Sequence, residues 1–67
     1  MINEEQRVRF NQVLTRMNRR TCSQRHLLKK PITQNTLDEM VTLGYLSQSE
    51  KDGDIYYTPT EESKKIW

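Results

Sequence analysis

The sequence predicts an α+β domain: three helices, then a two-stranded β-hairpin, then a short C-terminal helix. Three observations carry this. Phe10, Val13, Leu14 and Met17 recur at i, i+3, i+4 and i+7, the spacing of one helical face. Leu37, Met40 and Val41 repeat that spacing just before Gly44. Asp52-Gly53 lies between the strand-like segments Tyr45-Leu46-Ser47-Gln48 and Ile55-Tyr56-Tyr57-Thr58, where Asp-Gly is a strong hairpin signal.

The first helix is expected from about Asn3 to Asn18, with its apolar stripe inward and its arginines mostly off that stripe. Ile2 and Val8 lie apart from the stripe, on a side that either closes the core or forms a dimer seam. A second helix is expected from Thr21 to about Lys29, since Thr21 and Gln24 stand at capping-box spacing. It would bury Leu27, Leu28 and Cys22, and Pro31 would end it because the residue before a proline resists the α conformation.

The third helix starts at Thr33, a good N-cap, with Ile32 and Leu37 spaced as a hydrophobic staple. Gly44 stops it, since glycine adopts the left-handed conformation at little cost. Two short helices joined by a tight link, with a third in front of them, form a helix-turn-helix arrangement. In the hairpin, alternation separates Tyr57 from Tyr56, so one tyrosine should be core and its neighbour exposed. The closing helix has two competing starts. Thr58-Pro59 with Glu61 makes a full capping box, and Thr60 is a simpler cap; Ile66 and Trp67 would anchor the helix.

With 67 residues, 33% hydrophobic and 30% charged, residues 1–67 form one small folded domain with a thin stability margin and no room for a deep catalytic cleft. No apolar run is long enough to span a bilayer and the N-terminus lacks a signal-peptide pattern, so a cytoplasmic protein that does not enter membranes is expected. Cys22 and His26 are the only Cys and His, too few for a disulfide or a structural zinc site. No catalytic constellation or glycine-rich phosphate loop can be assembled, so neither an enzyme nor a cofactor is expected. Alanine is absent despite its helix propensity, in keeping with a biased genome or a small viral origin.

The net charge of +2 hides an asymmetry. Residues 1–30 carry eight basic side chains against Glu4 and Glu5, whereas residues 31–67 carry seven acidic ones against three lysines. Only the first half is suited to phosphates.

The stretches Leu37-Asp38-Glu39-Met40-Val41-Thr42-Leu43-Gly44-Tyr45-Leu46 and Tyr57-Thr58-Pro59-Thr60-Glu61-Glu62-Ser63-Lys64-Lys65-Ile66 resemble two parts of one family. The first resembles the recognition helix, and the second the strand-to-helix turn, of winged helix-turn-helix domains in small transcription regulators of the multiple-antibiotic-resistance and phenolic-acid-regulator types. Pro59 and Ser63 stand where that pattern has leucine and glycine. The resemblance covers most of residues 10–67. It implies double-stranded DNA as partner, with the third helix in the major groove.

On that reading Thr33, Gln34, Asn35 and Thr36 meet base edges and phosphates, Gln and Asn being able to bond adenine N6 and N7 together. Lys29 and Lys30, with Arg25 and Arg20, would hold the backbone, and Lys51 would serve the wing. A single module makes few contacts, so a homodimer is expected. The competing expectation is a protein-binding winged helix. The third helix has no Lys or Arg and carries Asp38 and Glu39, and the wing holds Glu50, Asp52 and Asp54; such a wing repels phosphate and suits a basic surface on a nucleic-acid enzyme.

Overall fold

Helix α1 (Glu4–Arg16) begins where Asn3 accepts the Gln6 backbone N–H and the Gln6 side chain accepts the Asn3 N–H, a reciprocal capping box. This computed structural model describes residues 2–66. After α1 come β1 (Cys22–Ser23), α2 (Gln24–Leu27), α3 (Gln34–Thr42), β2 (Leu46–Lys51), β3 (Asp54–Pro59) and a closing 3-10 helix (Glu61–Ile66). The strands form one antiparallel sheet in the order β1-β3-β2, so β3 is central.

Strand β1 corrects the expected second helix. Cys22 and Ser23 pair with Tyr57 and Tyr56 of β3, and Ser23, not Thr21, caps α2 by accepting the His26 N–H. Thr21 instead shares a 2.8 Å hydrogen bond with Thr58. The reason is tertiary. A cap is worth about 1 kcal/mol, while the open edge of β3 offers a ladder to any segment passing beside it. Helix α2 is therefore a single turn, and Leu28, at its end, is exposed rather than buried.

Helix α3 matches its expected bounds within a residue. Thr33 accepts the Thr36 N–H, and Gly44 takes φ +87°. The Tyr45 N–H returns to the Met40 carbonyl (2.8 Å) and the Gly44 N–H to that of Val41 (3.1 Å), the paired bonds of a Schellman ending. The hairpin is tighter than expected. Pairing continues to Lys51 opposite Asp54, and only Asp52 (φ 52°) and Gly53 (φ 82°) turn the chain, two residues at positive φ as a type I′ turn requires.

Tyr57 is fully buried, while Tyr56 is half-buried rather than exposed. Thr58 lies within β3 opposite Ser47, so its capping box is unused. The closing helix starts after Thr60, whose N–H donates to the Tyr45 carbonyl and whose hydroxyl donates to that of Gly44. It is a 3-10 helix, its end tied to α1 by the Asn11 amide donating to the Ile66 carbonyl (2.6 Å). The expected anchor Trp67 lies outside the described residues; Ile66 is buried.

One core joins these elements: Phe10, Val13, Leu14 and Met17 of the first helical stripe, Leu27, Ile32, Leu37, Met40, Leu46, Tyr57 and Ile66. Ile2 packs against it half-buried, but Val8 is half exposed. The Phe10 and Tyr45 rings meet at 5.6 Å, tilted by 50°.

Candidate nucleic-acid interface

The start of α3 is built from its cap outward. Thr33 is exposed overall, but its hydroxyl is engaged by the Thr36 N–H and hydroxyl. Thr36 is buried, and its hydroxyl also receives the Arg9 guanidinium of α1 at 3.4 Å. The same Arg9 group meets Glu39 at 3.2 Å, and Gln6 donates to the other Glu39 oxygen at 2.7 Å. Glu39 is thereby neutralised against α1. With Leu37 and Met40 in the core, the outward row of α3 is Asn35, Asp38 and Thr42, all exposed.

Gln34 has a different environment from Asn35. Its amide nitrogen donates to Asp38 (2.8 Å) and to the Tyr57 hydroxyl (3.2 Å), while its carbonyl accepts from Gln24 (2.6 Å). Both amide hydrogens are committed, so reading a base would require Gln34 to leave this cluster. Gln24, which sequence spacing assigned to a capping box, also donates to the Tyr57 hydroxyl (3.3 Å). Only pairing of β1 with β3 brings Gln24 to that position, and a two-residue strand leaves no periodic signal in a sequence.

Lys29 and Lys30 are exposed on the link between α2 and α3, directly before the α3 cap. Arg25 is exposed and pairs with Asp54, the first residue after the hairpin turn (3.1 Å). A pair so exposed contributes about 0–1 kcal/mol, so Arg25 can exchange Asp54 for another anion. Arg20 is exposed in the loop before β1, and Lys51 is exposed beside the hairpin turn, opposite Asp54. The structure thus gathers Lys29, Lys30, Thr33 and Asn35 around the start of α3, turns Thr36 and Gln34 inward, and leaves Lys51 among the acidic residues of the hairpin.

Burial pushes the Cys22 thiol above its usual pKa, opposed by the Ser23 backbone N–H and the Arg16 charge. Such a thiol is a poor nucleophile near neutral pH. Among the described residues no group of three His, Cys, Asp or Glu side chains could hold a metal ion, and no helix is long and apolar enough to cross a membrane. No protein-family model, curated protein or solved structure matches the chain.

Proposed function

We propose that this chain is a winged helix-turn-helix DNA-binding protein, a regulator or architectural factor, that offers α3 to the major groove and β2–β3 as its wing. The observation that carries this reading is the outward row of α3. Asn35 is exposed in the first turn of α3, which follows the link that carries the exposed Lys29 and Lys30, while Leu37 and Met40 hold the opposite face in the core. The element order α1-β1-α2-α3-β2-β3, with β1 on the edge of β3, supports it as well: it supplies the extra strand with which winged domains seat their hairpin. In this reading Asn35 bonds an adenine edge, the amides at the start of α3 with Lys29 and Lys30 take phosphates, and Arg25 releases Asp54 to join them.

Fluorescence anisotropy with a random-sequence duplex across a salt series tests the proposal. Binding in the micromolar range that weakens steeply with salt is the expected result. No binding at low salt overturns it.

A second reading, a protein-binding winged helix, draws on one specific observation. Arg25 is held by Asp54, and Glu50 and Asp52 stand exposed near the same end of the hairpin, an acidic end suited to a basic protein surface. The anisotropy titration separates the two, because an acidic wing seeking a basic partner predicts no affinity for the duplex at any salt concentration.

A further inference from the structure

The outer face of α1 and the link between α2 and α3 enclose an open groove of about 700 Å³. Val8, Pro31 and Ile32 give it an apolar lining, and Arg7, Arg16 and His26 are its ionisable side chains. Among the described residues no acidic side chain lines it, and none of the outward residues of α3 does. Val8 is 50% exposed there, an apolar residue in a helix whose core stripe runs through Phe10, Val13, Leu14 and Met17. Arg7 pairs with Glu4 at 3.7 Å, and both partners are exposed, so the pair competes weakly with an incoming carboxylate.

We propose that this groove docks a short acidic amphipathic segment of a partner protein, with apolar side chains seated on Val8, Pro31 and Ile32 and carboxylates paired with Arg7 and Arg16. Charge decides the occupant. A second copy meeting this face about a two-fold axis would set one basic face against the same basic face of its partner, a like-charge contact that disfavours association. Nucleic acid would use the guanidinium groups but leave the apolar lining unfilled. A helix with leucines on one face and glutamates around it satisfies both sets of residues.

The test uses three fluorescein-labelled peptides: one with Leu at i, i+3, i+4 and i+7 and Glu elsewhere, one with those Leu replaced by Ser, and one with the Glu replaced by Lys. Binding is read by anisotropy and located by backbone amide shifts of the labelled protein. The Leu/Glu peptide should bind and move the amides of Val8, Gln12, Thr15 and His26, and the other two should bind at least about tenfold more weakly. Arg16→Glu and Val8→Asp, both at exposed helix positions, should each weaken it similarly, whereas Lys64→Glu on the closing helix should not. The proposal is overturned if the Leu/Glu peptide fails to bind, if the Ser peptide binds equally, or if the shifts fall on α3 or the hairpin. It is equally overturned if duplex DNA moves the groove amides in the peptide's place, or if those amides respond to protein concentration alone and so report self-association.

Discussion

The Tyr57 hydroxyl accepts a hydrogen bond from the Gln34 amide at 3.2 Å, joining the central strand of the sheet to the first turn of α3. Gln24 donates to the same oxygen from α2 at 3.3 Å, so one buried phenol ties both helices of the pair to the sheet. A helix held in this way keeps a set orientation with respect to the hairpin.

Tyr57→Phe removes that shared acceptor while keeping the ring in the core. The loss should be roughly 1–2 kcal/mol, read as a lower urea midpoint at unchanged slope. A larger loss accompanied by a changed slope would mean that the ring itself had moved.

Gly44→Ala isolates the cost of the helix ending. Gly44 sits at φ +87°, and a Cβ there would meet nothing within 4 Å, so the penalty is that of the backbone conformation alone, about 1–2 kcal/mol. For a domain of this size each kcal/mol lowers the melting temperature by about 4–8 °C. A thermal melt followed by circular dichroism checks this, and an unchanged midpoint would show that the Schellman ending contributes nothing.

Cys22 gives a pH dependence of known sign. Below the ordinary thiol value of 9.0 both folded and unfolded chains hold the proton. Above it the unfolded chain ionises first, because burial raises the folded value, so stability falls as pH climbs further. Cys22→Ser should lessen this alkaline fall, measured as the difference between the two proteins' urea midpoints from neutral pH to beyond 9.0. Parallel curves would show that the thiol does not contribute.

Asn35 and Lys30 should separate base reading from phosphate binding. Asn35→Ala should weaken binding to a selected site by about 1–3 kcal/mol while sparing random DNA, and Lys30→Ala should weaken both alike and reduce the salt slope by about one. Equal losses on the two DNAs from Asn35→Ala would remove its base-reading role.

The candidate site was only partly legible in the sequence. The exposed group Lys29, Lys30, Thr33 and Asn35 follows from local signals, since it lies beside a cap that Thr33 sets by itself. The inward turn of Thr36 and Gln34 does not, because it depends on Arg9, Gln24 and Tyr57, which are distant in the chain. The basic groove against α1 was equally invisible, being formed by two segments that meet only on folding.

By itself the sequence determined what short-range chemistry controls. The stripe of α1, the Thr33 cap, the Gly44 stop and the Asp52-Gly53 turn each follow from residues within about one turn or one hairpin loop of each other. Only the tertiary structure decided how Thr21-Cys22-Ser23 and Thr58-Pro59-Thr60 resolve. Both carry helix-start chemistry worth about 1 kcal/mol, and in both the backbone bonds offered by the sheet prevail, drawing Cys22 and Ser23 onto one edge of β3 and keeping Thr58 in that strand against Ser47. A cap is read from a few neighbouring residues, whereas a free strand edge exists only once the hairpin has formed.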